Sequence, residues 1–196
     1  SNSMSKLRVQ EIAHTNGTVG ASIHSSGAVG MPGSIAQVSN VYITEPSSQS
    51  IPSDNSYNNI TNMSLSITSK LPNSKFYIIS RWFGEFNAQS AAYNTMWSFK
   101  RNGTVLGQPP QPGSVTIGIH MAAISYWAND ADSTPETIVF DYVDAPELPI
   151  GSTITYDVCV SANQASTLYN NRCTNATTSG GYERGTSSIV IMEIAQ

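Results

Sequence analysis

Hydrophobic residues along this chain recur at every second position rather than every third or fourth. Met63, Leu65 and Ile67 alternate with Ser64, Ser66 and Thr68. Val115, Ile117, Ile119 and Met121 alternate with Thr116, Gly118, His120 and Ala122, and Ile154, Tyr156, Val158 and Val160 with Thr155, Asp157, Cys159 and Ser161. That period is the mark of a strand with one buried face. Ile35 to Thr44, Tyr93 to Lys100 and Thr137 to Val143 read as further strands, Pro46 to Asn58 as a polar loop, and Asn102-Gly103 as a hairpin turn. Two stretches are apolar without a break. In Phe76–Phe83, Phe76, Ile78 and Trp82 share one face and Tyr77, Ile79 and Phe83 the other. In Ile189–Ile194, Val190, Met192 and Ile194 point one way and Ile189 and Ile191 the other, with Glu193 interrupting the second set. Strands apolar on both faces imply a domain core on one side and another subunit on the other. Arg81 shares a face with Ile79, so it calls for a carboxylate, Glu85 or Glu193. The sum is an all-β chain of about eight to ten strands in a sandwich or barrel.

Composition narrows the setting. Only 11% of the 196 residues are charged, against roughly 25% in an average globular protein. Such a neutral polar surface suits extracellular, capsid-like or fibre proteins. The net charge of −4 gives no electrostatic footing for nucleic acid or an anionic membrane. No apolar run approaches the roughly 18 residues of a spanning helix, and no secretion signal is visible. Ser1-Asn2-Ser3 reads as the remnant of an expression tag before Met4. Residues 4–33 lack a sustained period and are broken by Asn16-Gly17, Ser26-Gly27 and Pro32-Gly33, so they read as an extended N-terminal arm that needs partners. Residues 34–196 read as the sandwich domain.

A set of short segments in fixed order adds a family. Lys6-Leu-Arg-Val9, Asn16-Gly-Thr18, Pro32-Gly-Ser-Ile-Ala-Gln-Val38, Asn73-Ser-Lys-Phe76, Arg101-Asn-Gly-Thr104, Phe140-Asp-Tyr-Val-Asp-Ala-Pro146, Thr155-Tyr-Asp-Val158, Asn171-Arg172 and Gly185 to Ile194 follow one another as in phage tail-fibre-type proteins of marine and cyanobacterial viruses. The chain resembles that family over nearly its whole length. The resemblance implies a virion appendage, a homotrimer, and a C-terminal jelly roll of the tumour-necrosis-factor or complement-head kind, whose last strand lies near the threefold axis. On that basis Ile189 and Ile191, with Ile79 and Arg81, are the expected oligomer interface.

The remaining chemistry is sparse. Cys159 and Cys173 face each other if residues 153–162 and 168–173 form a hairpin, which puts a disulfide within reach; two unbonded thiols are the other reading. Asp130-Ala-Asp132 has neither the strand before nor the helix after that an aspartyl phosphotransferase needs, and lacks the glycine and closing Glu of a helix-loop-helix calcium site. It reads as a solvated acidic loop, with calcium between Asp130, Asp132 and carbonyls as the alternative; no other cofactor is expected. His14, His24 and His120 have no companions at zinc spacing. Tyr126, Trp127, Asn129, Asp130 and Asp132 bring aromatics, an amide and acids together, the set that stacks on and hydrogen-bonds a sugar. The expectation is a non-enzymatic receptor-binding protein on a virion, recognising a host surface glycan or protein alongside other tail proteins. The alternatives are a structural trimerisation or connector protein and a glycan-degrading tailspike component.

Overall fold

The structure is a computed structural model and describes residues 8–87, 92–122, 133–176 and 182–196. Every described element is a strand. The first three, β1 (Glu11–Ala13), β2 (Val19–Ile23) and β3 (Val29–Gly30), make a small antiparallel sheet at the start of the chain. Two ten-residue units build it. His14-Thr-Asn-Gly17-Thr-Val19-Gly20 is echoed by His24-Ser-Ser-Gly27-Ala-Val29-Gly30. In each, the His N–H donates to the carbonyl four residues on, the Gly N–H donates back to the His carbonyl, and the Gly sits at positive φ. The arm is tied to the rest by Gly33 and Ser34, whose backbones exchange bonds with Ala195, and by the Ser26 hydroxyl donating to the Lys70 carbonyl.

The other strands are β4 (Ile35–Ile43), β5 (Ser47–Ile51), β6 (Asn58–Thr68), β7 (Lys75–Phe86), β8 (Thr95–Arg101), β9 (Thr104–Val105), β10 (His120–Met121), β11 (Glu136–Asp144), β12 (Thr153–Ala162), β13 (Ser166–Asn170) and β14 (Ser187–Ile194). They form two antiparallel sheets. In one, β7 has β11 on one side; on the other, β14 runs along its first half and β13 along its last residues, flanked in turn by β4 and β5. In the second the order is β6-β12-β8, with the short β9 and β10 completing it beyond β8. Successive long strands alternate between the sheets, so β4-β14-β7-β11 packs on β6-β12-β8-β10. That order is a jelly roll.

The core between the sheets is aromatic and branched. Trp82 and Trp97 meet with ring centroids 5.1 Å apart, Phe99 and Phe140 at 4.5 Å, and Phe76 lies beside Tyr156. Buried indoles need an acceptor: Trp82 donates to Asn170 and Trp97 to Thr95. At one end of the core the Tyr156 hydroxyl donates to Asp144 Oδ2 at 2.6 Å while Arg101 grips Oδ1 at 2.6 Å. Burial, then that hydrogen bond to a carboxylate, raises the Tyr156 phenol above its ordinary value.

Several expectations change here. The stretch Pro46–Asn58 contains β5, which pairs with β13. The alternation from Val115 to Ala122 yields only the two residues of β10, because residues 116–119 run instead as a cover over β8 of the second sheet. Tyr57 donates to the Ile117 carbonyl, Thr116 to Asn55, and the Ile119 N–H to Ser98. The hairpin proposed for the cysteines does not form: β12 pairs with β6 and β8, while β13 pairs with β5 and β7 in the other sheet. Cys159 and Cys173 are free and buried.

The faces of β14 are also the reverse of the expected ones. Ile189 and Ile191 lie in the monomer core beside Ile78 and Ile43, and Val190, Met192 and Ile194 face outward. Glu193 shares the inward face and is fully buried. Its carboxylate accepts from the Gln37 amide (2.6 Å), the Ser74 hydroxyl (2.7 Å) and the backbone N–H groups of Lys70 and Leu71 (3.0 and 2.9 Å). A carboxylate surrounded by donors at a turn tolerates burial that an unpaired one does not.

Candidate functional site

Because cross-strand partners project to the same side of a sheet, the register defines what the first sheet presents outward. Met192 lies between Val38 and Tyr77, with Val143 beyond Tyr77. Val190 lies between Asn40 and Ile79, with Asp141 beyond; Ser188 lies between Tyr42 and Arg81, with Val139 beyond. Ile194 closes the last row with Ile35 and Lys75. The outer surface is therefore an apolar field, and much of it is bare: Tyr42 is 63% exposed, Val38 57%, Ile35 55%, Val139 51% and Val143 48%. Contiguous apolar surface of this kind marks an interaction site on a folded protein.

Among the described residues, the chain's own cover of this surface lies at the Arg81 and Phe83 end. Gly185 rests on the Phe83 ring so closely that a Cβ would lie 2.6 Å from a ring carbon. Arg81 donates to the Thr186 carbonyl at 2.7 Å and hydroxyl at 3.0 Å, in place of the carboxylate anticipated for it. Next along β7, the buried Glu85 carboxylate accepts from the N–H and hydroxyl of Thr134 (2.8 and 2.7 Å) and the N–H of Thr174 (2.5 Å). One side chain thus pins two loops against the sheet. Glu183 accepts from the Ser133 hydroxyl (2.8 Å) and the Cys173 thiol (3.4 Å), and those two bonds hold its carboxyl below the usual range. Burial pushes the Cys173 thiol up to about 11. Arg172 lies over the Tyr169 ring, 4.6 Å from its centroid.

The second sheet's outer surface is polar. Ser66 and Thr155 are hydrogen-bonded at 2.7 Å and Thr68 and Thr153 at 3.0 Å, and the Lys100 ammonium donates to the Tyr57 carbonyl and Asn59 side chain. Beside Ser98, on which the 116–119 cover rests, the Cys159 thiol donates to the Ser98 carbonyl at 3.4 Å, and burial pushes it up to about 12. Between the β4 and β6 edges a groove of about 620 Å³ is walled by Ser25, Ser26, Gln37, Ser39, Ser66, Thr68 and Lys70.

Of the residues named from sequence, Ile79 and Arg81 are on the apolar outer surface, whereas Ile189 and Ile191 are inside the core. Tyr126, Trp127, Asn129, Asp130 and Asp132 lie outside the described residues, and with them the calcium alternative. Among the described residues no group of three or more His, Cys, Asp or Glu is placed to hold a metal ion, and no helix is long and apolar enough to cross a membrane. Sequence reasoning missed Val38, Tyr42, Val139, Asp141, Val143, Val190 and Met192 as one surface. The alternation of Val139, Asp141 and Val143 was the available signal, since a strand with one wet face does not place valines on it.

Fold and surface together define a jelly-roll sandwich that presents an uncovered apolar sheet. No protein-family model matches the chain, and no curated protein is significantly similar to it. Among solved structures it is similar, at a TM-score of 0.40 and 9% identity, to part of dimeric latent PorU from Porphyromonas gingivalis. The match covers 92% of this chain and 15% of that one.

Proposed function

We propose that this chain is a non-enzymatic, homotrimeric component of a virion tail appendage that attaches the particle to a host surface glycan or protein. The observation that carries the assembly half of this reading is the apolar outer surface of the β4-β14-β7-β11 sheet. Its side chains form rows across four strands, which suits a broad apolar contact between copies repeated around an axis. The ordered tail-fibre-type segments of the sequence support the attachment half. Light scattering on the purified protein tests assembly: a trimer is expected, and a monomer overturns the reading. Binding of fluorescent protein to intact host cells, competed by host surface polysaccharide, separates attachment from a connector role. An oligomer that binds no cells is a connector.

A further inference from the structure

Resting on the reading that copies of this chain meet through the apolar sheet, we propose that Arg81 of one copy pairs with the partner's Asp141, and that this pair fixes the register of the contact. Apart from Lys75 at the end of β7, these two are the charged side chains among the rows of that surface. They lie two residues out of register on adjacent strands, diagonal neighbours on the same face: Arg81 is opposite Val139, and Asp141 is opposite Ile79. Within the chain they do not pair; the ion pair among the described residues is Arg101–Asp144. Arg81 spends two donors on Thr186, which holds its guanidinium in place on the surface and leaves other N–H groups free. Asp141 is exposed, with no hydrogen-bond partner among the described residues.

Covering this surface with another apolar surface removes water from both groups, and an unpaired carboxylate buried that way opposes association. A copy of the same chain brings the matching guanidinium. A partner of other sequence has no such built-in match, and a repeated rotation satisfies every pair at once. Because a buried ion pair roughly breaks even in affinity, its contribution is selection: copies shifted along the strands place valines against charges and are disfavoured.

Charge exchange tests this. Arg81→Glu and Asp141→Arg are each expected to weaken association by more than about tenfold, and the double variant to recover it. The decisive measurement mixes isotopically labelled wild type with the double variant and follows subunit exchange by native mass spectrometry. Self-sorting into separate oligomers is expected, because every mixed contact sets Arg against Arg or Glu against Asp. Free mixing overturns the pair. Val190→Asp keeps the two levels distinct: if it yields folded monomers while the wild type and double variant mix freely, the apolar contact stands and only the ion pair falls. If Val190→Asp leaves the oligomer intact, the contact lies elsewhere and both readings fall.

Discussion

The outer surfaces of the two sheets are made by the same alternation of side chains, yet one is valine, methionine, isoleucine and tyrosine and the other serine, threonine, lysine and aspartate. On the second sheet the cross-strand pairs Ser66–Thr155 and Thr68–Thr153 satisfy each other and face water. At β8 the chain's own 116–119 segment lies over that sheet, against Met96 and Ser98. On the first sheet the self-made cover stops near Phe83 and Arg81, and Val38, Met192, Tyr77 and Val143 form a row beyond it. Both sheets contribute large side chains to the core, so burial within the monomer does not account for the difference.

The sharpest way to break this contrast is to charge each surface in turn. Val190→Asp should abolish the proposed oligomer while far-UV circular dichroism keeps its β signature. Next in size, Ile191→Ala on the inward side of the same strand should cost about 2–5 kcal/mol in thermal or denaturant unfolding and leave the oligomer intact in the folded state. If the two outcomes trade places, the inward and outward faces of β14 are misassigned. Glu193→Gln, which turns a donor toward the donors of Lys70, Leu71 and Ser74, should cost roughly 3 kcal/mol.

Alkaline pH tests the covers rather than the faces. Cys159 and Cys173 are pushed up to about 12 and about 11 by burial, above the roughly 8.5 of a free thiol. Between those values the folded chain keeps protons that the unfolded chain releases. The stabilisation is therefore complete below about pH 8.5 and is lost as pH rises through the folded values. Melting temperature should fall steadily above about pH 9, and a flat profile to pH 11 would mean that both covers open readily. The smallest effect belongs to Ser66→Asp on the polar sheet, expected within about 0.5 kcal/mol of wild type and without change in assembly.

How much of this was legible in the sequence depended on whether a residue's local pattern carried its phase. β6 and β12 alternate polar and apolar residues, so both their existence and their inward faces could be read, whereas β11 was legible as a strand but not in its faces. β14 is apolar throughout, and its period of two gives no phase. Glu193 supplied the only local hint and pointed the wrong way, because four donors from distant turns and strands make the interior hospitable to it. β5 is Ser-Ser-Gln-Ser-Ile, which no propensity marks as a strand; its pairing with β13 is a tertiary event. Val115–Met121 failed for the opposite reason. Its alternation is genuine, but Pro109, Pro110 and Pro112 lead into it and the segment serves as a cover instead of a long strand.

The paired ten-residue units at the start of the chain have a consequence for reach. Each unit supplies one hairpin with its own hydrogen bonds and its own glycine, and strands in a sheet stand about 4.8 Å apart. Adding or deleting one unit would therefore move whatever precedes it by a fixed step of that size and reverse the direction in which the chain leaves. The two units thus act as modular steps whose number could change without any change to the jelly roll.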